Sequence, residues 1–269
     1  MKKYTKIFAV FLAALCITIV SSGCQSRLVR FLTDFGGSSG GGQITSVDAA
    51  KMTNDITTDK IHALFTVSVT LRSGFFGGST LRSQGSGVAF YKQSGYVFLL
   101  TNCHVAAKRE GYSQASYTVT DYAGNEYTAQ LFKNSGKTVS AISADYDLAC
   151  LYFKTSVDYT TLDIADSDPV KNQTVVALGA PEHQSNAITF GTVKDYVKTE
   201  VQADKSLSNV QFSVIYHDAY IDNGSSGGPL IDADYKIVGI NYGGSEDNSI
   251  SLAVPATKVN EFLKEFVYD

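Results

Sequence analysis

The chain has 269 residues, 44% of them hydrophobic and 12% aromatic, and its formal net charge is −4. That length can bury a substantial core, and about 200–250 residues can form a single all-β domain. Its 22 Lys and Arg residues are outnumbered by 26 Asp and Glu residues. The sequence also lacks the clustered basic residues of a nucleic-acid-binding surface, so no nucleic-acid partner is predicted.

The N-terminal segment has the pattern of a targeting sequence. Residues 1–6 are basic, and Ile7–Val20 is an apolar stretch of 14 residues, which is short for a membrane span. The Ser-Ser-Gly before Cys24 resembles a bacterial lipobox, although Ser21 stands where an aliphatic residue is usual. Ordinary secretory cleavage and an uncleaved anchor are the alternatives. We predict a lipoprotein signal peptide over 1–23, a membrane anchor on lipidated Cys24 and a location outside the cytoplasm.

The rest of the chain is predicted to be mostly β-structure. Residues 24–46 include a Gly- and Ser-rich run that predicts a flexible tether, and 47–60 has a weak helical pattern. Residues 255–267 carry apolar side chains at three- and four-residue spacing, which predicts an amphipathic helix. Short β-like segments separated by turn signals indicate an antiparallel sandwich or barrel. The predicted strands are 61–71, 85–91, 96–101, 116–121, 126–134, 148–153, 174–180, 187–198, 210–216, 228–231, 237–242 and 249–254.

A glycine-rich run around two serines is the first candidate for chemistry. Residues 222–230 read Asp-Asn-Gly-Ser-Ser-Gly-Gly-Pro-Leu. Glycines let such a turn adopt conformations that other residues resist, and the amides of Gly224 and Ser226 could bind a developing negative charge. A flexible loop is the alternative, but Pro229 and the strand-like residues 236–240 indicate an ordered setting.

A nucleophilic serine needs a base, and the base needs an orienting carboxylate. Of four histidines, His104 is the strongest candidate because it follows a buried-looking strand, although a lone histidine is more often a core residue. Asp147 directly precedes an apolar run, where a charge is costly unless it is paired. Asp145 is the rival carboxylate and is expected to face solvent.

Two cysteines remain in the predicted mature body, Cys103 and Cys150. Outside the cytoplasm such a pair is compatible with a disulfide, but two buried thiols that act as small hydrophobes are the favoured interpretation. The sequence has neither a His-Glu-x-x-His nor a paired Cys-x-x-Cys spacing, so no metal site and no cofactor are predicted.

Several linked segments together resemble the trypsin-like serine proteases, in particular the bacterial HtrA (DegP-type) branch. The resemblance covers about residues 60–269, and it includes the order His, Asp, Ser along the chain. The segments that carry it are Gly85–Phe90, Leu100–Val105, Asp147–Leu151, Ile164–Asp168, Thr174–Pro181, Ile188–Val193, Asp218–Ile221, the serine run, Ile237–Asn241 and Leu252–Thr257.

The resemblance implies an all-β fold of two six-stranded antiparallel β-barrels, the trypsin-like double barrel, with a C-terminal helix. The protease domain would span 47–269, with the barrels split near 155–172 and no PDZ domain. It also implies that Ser226 is the nucleophile, because Gly-Gly-Pro follows it, rather than Ser225, which stands where Asn or Asp is usual. His104 would be the general base and acid.

The remaining roles also follow from the resemblance. Asp147 would orient His104, the amides of Gly224 and Ser226 would form the oxyanion hole, and Tyr220, Tyr242 and Gly243 would line the specificity pocket. No Asp stands at the Tyr220 position, so a preference for Lys or Arg is not expected. We expect a shallow or apolar pocket instead. The chain would be a serine endopeptidase acting on proteins or peptides.

Two alternatives to an active peptidase remain at the level of sequence. One is a catalytically silent protease fold that serves as a binding or chaperone-like module, against which an intact triad argues. The other is a structural surface lipoprotein, which would explain the leader but not the linked His, Asp and Ser motifs.

Overall fold

The computed structural model describes residues 29–30, 46–74, 78–179, 187–199, 204–244 and 250–268. The predicted signal peptide, 1–23, and the predicted lipid site, Cys24, lie outside these residues. No helix within the described ranges has the length and apolar character needed to cross a membrane.

The described chain is dominated by strands. Its helices are α1 (Ser46–Thr58), a 3₁₀ turn (Lys60–Ala63), α2 (Cys103–Ala106) and α3 (Ala256–Phe266). Its strands are β1 (Val29–Arg30), β2 (Leu64–Arg72), β3 (Thr80–Gln93), β4 (Tyr96–Thr101), β5 (Gln114–Asp121), β6 (Glu126–Leu131), β7 (Ile142–Ser143), β8 (Leu148–Lys154), β9 (Thr174–Gly179), β10 (Ala187–Val197), β11 (Val214–His217), β12 (Pro229–Ile231), β13 (Ile237–Gly244) and β14 (Ser251–Pro255).

The strands form two closed antiparallel barrels of six strands each. In the first, the order is β4-β3-β2-β5-β6-β8, and pairing of β4 with β8 closes the sheet. In the second, the order is β10-β11-β14-β13-β12-β9, and pairing of β10 with β9 closes it. The predicted trypsin-like double barrel with a C-terminal helix is therefore confirmed.

Alternating burial along the strands explains why these sequences close into barrels. In β2, Val67, Val69 and Leu71 point into the first barrel, while the intervening residues are only partly buried. Closing the sheet removes its open edges and leaves one apolar interior per barrel. At the C-terminus, Val259 and Phe262 lie on the buried face of α3, as the predicted amphipathic pattern requires.

The segment between β8 and β9 is attached to both barrels. The amide of Leu162 donates to the carbonyl of Ala89 in the first barrel, at 2.9 Å. The amide of Ala165 donates to the carbonyl of Ile237 in the second, also at 2.9 Å. The segment occupies the range in which the sequence predicts the split, and these bonds fix it to each barrel.

Two elements precede the first barrel. Helix α1 buries Met52 and Ile56, and its Asp55 accepts a hydrogen bond of 2.6 Å from the hydroxyl of Tyr235 in the second barrel. Within the predicted tether, Val29–Arg30 forms a two-residue strand that pairs in parallel with β10. A short strand in that range is a difference from the expectation, and it lies in the partly apolar segment 28–32 that precedes the Gly- and Ser-rich run.

Candidate active site

His104 lies at the point where β4 leaves the first barrel. The strand ends at Thr101, and His104 is on α2, a single turn of helix that buries Cys103 and Val105 on either side. The imidazole itself keeps 23% of its surface exposed. The neighbours therefore anchor the backbone in the core while the ring stays accessible from outside.

Asp147 meets this imidazole from the start of β8. Its side chain has no exposed surface, and its Oδ2 lies 2.8 Å from Nδ1 of His104. Its Oδ1 accepts the backbone N–H of His104 at 3.0 Å. The Nδ2 of Asn102 donates to the backbone carbonyl of Asp147 at 2.9 Å. The carboxylate is thus held by two contacts with His104, which compensate for its burial, and Asn102 holds the backbone of the same residue.

This contact fixes the tautomer of His104. A carboxylate against Nδ1 favours the proton on that nitrogen, which leaves Nε2 with its lone pair free to accept a proton. Asp147 has φ of +50°, a left-handed conformation that is uncommon outside glycine. Such local strain is often found at functional sites.

Asp145 has a different environment. It is exposed, and its Oδ1 accepts a hydrogen bond of 2.6 Å from Nδ2 of Asn209. The structure therefore brings His104 together with Asp147, and it places Asp145 at the surface.

The serine loop is a tight turn between Ile221 and β12. Gly224 and Gly227 both have φ of +89°, which side chains rarely tolerate. The amide of Ser225 donates to the carbonyl of Asp222 at 2.9 Å, and the amide of Gly228 donates to the carbonyl of Ser225 at 3.0 Å. The glycines thus sit at the two positions on either side of the serines where the backbone reverses.

The two serines have different environments. Ser225 is 3% exposed, and its Oγ accepts the amide N–H of Asp222 at 3.2 Å, so its hydroxyl is used inside the turn. Ser226 is partly exposed. Among the described residues, the amides of Gly224 and Ser226 donate no hydrogen bond, so both N–H groups are available to an external acceptor.

Strand β3 joins the serine loop to the first barrel. The amide of Ser86 donates to the carbonyl of Ser226 at 2.7 Å, and its Oγ donates to the carbonyl of Gly224 at 2.7 Å. At Gly85, an added Cβ would meet both the carbonyl oxygen of Ser226, at 2.8 Å, and the side chain of Val105, at 2.7 Å. The loop therefore abuts the segment that carries His104, with only a glycine between them.

Comparison with known proteins agrees with this geometry. Residues 85–240 match the family described as Trypsin-like peptidase domain. The chain belongs to the trypsin-like peptidase family. Among curated proteins it is 35% identical to Serine protease Do-like HtrA of Bacillus subtilis (strain 168), over 72% of this chain and 43% of that protein. It is 30% identical to the mitochondrial Serine protease HTRA2 of Bos taurus, over 78% and 42% respectively.

The predicted resemblance to HtrA-type trypsin-like proteases is confirmed by these relatives, of which the chain spans less than half the length. Among solved structures, it resembles the active form of the Rv3671c protease from M. tuberculosis. The TM-score is 0.62 at 18% identity, with 88% of this chain and 95% of the other covered. At that identity the likeness bears on the fold alone.

The residues predicted for the specificity pocket of this trypsin-like peptidase lie on two different segments. Tyr220 is partly exposed, and its hydroxyl donates to Asp222 at 3.0 Å. Tyr242 on β13 is buried, and its hydroxyl bonds to the hydroxyl of Thr199 at 3.1 Å. A Cβ added at Gly243 would meet no atom within 4 Å, so the backbone there borders open space.

The two cysteines of the peptidase are free buried thiols in the structure. From the sequence, either a disulfide or two buried thiols was possible. The structure contains two buried thiols. Burial, followed by the charge of Asp147, raises the pKa of Cys103 to about 12. Burial also raises the pKa of Cys150. Both are therefore protonated and inert at neutral pH. Within the part of the chain that the structure describes, no His, Cys, Asp and Glu side chains cluster as a metal site would require.

Sequence reasoning missed three supporting residues of the peptidase site. Ser86 ties the serine loop to β3, Asn102 holds the backbone of Asp147, and Asn241 binds the loop from β13. Ser86 could have been found from the sequence, because it lies between two glycines of a strand. Glycines inside a strand often mark a place where another backbone segment approaches closely. Asn102 and Asn241 carried none, since their partners are distant in sequence.

Proposed function

We propose that this chain is a serine endopeptidase that cleaves proteins or peptides through Ser226, His104 and Asp147. The observation that carries the proposal is the fully buried carboxylate of Asp147 against Nδ1 of His104. The buried carboxylate favours the ring proton on Nδ1 and leaves Nε2 of the imidazole to act as a base. The loop of Ser226 abuts the segment that carries His104, at Gly85. Membership of the trypsin-like peptidase family supports it.

In the proposed reaction, Nε2 of His104 takes the proton of Ser226 as Oγ attacks the peptide carbonyl. The amides of Gly224 and Ser226 stabilise the oxyanion of the tetrahedral intermediate. Loss of one such donor typically raises the barrier by about 3–4 kcal/mol. The imidazolium, stabilised by Asp147, then protonates the leaving amine, and water releases the acid from the acyl-enzyme. Tyr220 at the pocket supports a preference for apolar side chains over Lys or Arg.

A fluorophosphonate probe is expected to react with one serine, Ser226, because only an activated hydroxyl attacks such a probe. Peptide mass mapping should find the adduct on Ser226, and Ser226→Ala should abolish it. Ser225→Ala is the matched control and should retain labelling, since the Ser225 hydroxyl is used inside the turn. A well-folded protein that takes up no probe would instead support the silent binding module.

We also propose that the peptidase acts outside the cytoplasm, attached to a bacterial membrane by a lipid on Cys24. The basic residues, the apolar stretch and the lipobox-like sequence before Cys24 support this. A lipid on Cys24, five residues before the Val29–Arg30 strand, would hold the barrels close to the membrane surface.

Mass spectrometry of the mature N-terminus is expected to find diacylglycerol on Cys24, in a protein that fractionates with membranes. Cys24→Ser should release the protein into the soluble fraction. Cys16→Ser, which alters only a cysteine within the leader, should leave the anchor intact. An unmodified N-terminus at any other residue would contradict the lipobox assignment.

A further inference from the structure

Strand β3 lies against the serine loop at Ser86, a residue that has no exposed surface. A Cβ added at Gly85 would lie 2.8 Å from the carbonyl oxygen of Ser226, and one at Gly87 would lie 2.9 Å from the side chain of Val67. A side chain at either glycine would therefore collide with the loop or with the neighbouring strand. The two glycines let the Ser86 side chain reach the loop backbone directly.

Three hydrogen bonds fix Ser86 between the serine loop and the strand that leads to His104. Its amide donates to the carbonyl of Ser226, and its Oγ donates to the carbonyl of Gly224, both at 2.7 Å. Its own carbonyl accepts the hydroxyl of Thr101, the last residue of β4, also at 2.7 Å. Ser86 thus contacts both residues whose amides would form the oxyanion hole, and β4 holds Ser86 itself in place.

The direction of the Gly224 amide depends on its neighbours. Among the described residues, neither the N–H of Gly224 nor the carbonyl of Asn223, which share one peptide unit, makes a hydrogen bond. Gly224 has φ of +89°, and a glycine can change conformation at little steric cost. The next peptide unit is held at both ends, because the N–H of Ser225 donates to Asp222 and the carbonyl of Gly224 accepts from Ser86. Without the Ser86 hydroxyl, this unit would be held at one end only.

We propose that Ser86 is a positioning residue, whose hydroxyl holds the carbonyl of Gly224 and thereby keeps the amide of Gly224 directed into the oxyanion hole. The inference rests on the proposed function. The Gly224 amide binds the oxyanion as its charge develops, so a misdirected amide weakens binding of the transition state more than binding of the substrate. The Ser86 hydroxyl should therefore affect kcat and leave KM nearly unchanged.

The test replaces Ser86 by alanine in the full chain, which removes the hydroxyl and keeps the backbone groups. We expect Ser86→Ala to lower kcat for a fluorogenic peptide and the rate of fluorophosphonate labelling at Ser226 by about thirtyfold, with KM changed less than about twofold. A peptide boronate forms a tetrahedral adduct on Ser226 that places an oxygen in the same hole. Its affinity should fall by about the same factor as kcat.

Tyr196→Phe is the matched control, because the hydroxyl of Tyr196 also donates to a backbone carbonyl, that of Pro169, at 2.7 Å. It should lower the melting temperature and leave the labelling rate and the boronate affinity of the folded protein unchanged. Equal losses of labelling in the two variants would trace the effect to a general loosening of the fold and would contradict a specific role for Ser86.

The remaining outcomes separate the inference from the proposed function. A folded Ser86→Ala protein that labels at the wild-type rate, or one whose kcat falls while its boronate affinity does not, overturns the inference alone. A wild-type protein that does not label at Ser226 overturns the proposed function first.

Ser86→Cys keeps the inference testable where Ser86→Ala does not fold. A thiol is close to a hydroxyl in size but is a weaker donor, so we expect labelling at Ser226 to slow by about fivefold. A Ser86→Cys protein that labels at the wild-type rate would also overturn the positioning role.

Discussion

Asp147→Asn is expected to lower kcat by about four orders of magnitude while the protein stays folded. The carboxamide can present an N–H to Nδ1 of His104, which would move the ring proton to Nε2 and leave no lone pair to receive the proton of Ser226. It would also remove the negative charge that stabilises the imidazolium. The rates of peptide hydrolysis and of fluorophosphonate labelling measure the effect.

Asp145→Asn makes the same chemical change two residues away. Because Asp145 is exposed and bonds only to Asn209 among the described contacts, the rate should stay within about twofold of wild type. An Asp147→Asn protein that retained a tenth of the wild-type rate would show that the contact with His104 is structural rather than catalytic.

Gly227→Ala is expected to cost roughly 3 kcal/mol of unfolding free energy or more, and to abolish labelling of Ser226. The residue has φ of +89°, and an added Cβ would overlap the carbonyl oxygen of Ser86 and the hydroxyl of Thr101. Both neighbours are tied to each other by a hydrogen bond, so neither can move without disturbing β3. Urea unfolding followed by fluorescence would measure the loss.

Gly124→Ala separates conformational strain from crowding. Gly124 has φ of +90°, but a Cβ there would meet no atom within 4 Å. Its replacement should cost only about 1–2 kcal/mol, the strain of a left-handed alanine. Equal losses for the two variants would mean that the contact with Ser86 contributes little to fixing the loop.

Much of the double barrel could be predicted because its strands carry local signals. The apolar run that becomes β4 and the spacing that becomes α3 are visible without any knowledge of the partner strands. The start of strand β3 could not be predicted from such a signal, because the strand begins at Thr80 whereas the sequence predicts a start at Gly85. Its first residues, around Arg82, are polar and exposed, and they are ordered by pairing with β2.

The candidate site also contains residues that could be predicted from the sequence and residues that could not. His104 and Asp147 could be selected because each sits beside an apolar run, where a polar residue needs a partner. The links made by Ser86 and Asn102 join residues 138 and 45 positions from their partners, and no local pattern encodes such a distance. His217 directly follows the predicted strand 210–216, and only the closed barrel makes it a buried residue.

Ser86 also has a consequence for the timing of activity during synthesis. It leaves the ribosome early, yet both groups that it binds in the serine loop, Gly224 and Ser226, are made more than a hundred residues later. A nascent chain that has completed only the first barrel carries His104 and Asp147 but has no nucleophile. The proposed peptidase therefore cannot act until its second barrel has been made and has docked against the first.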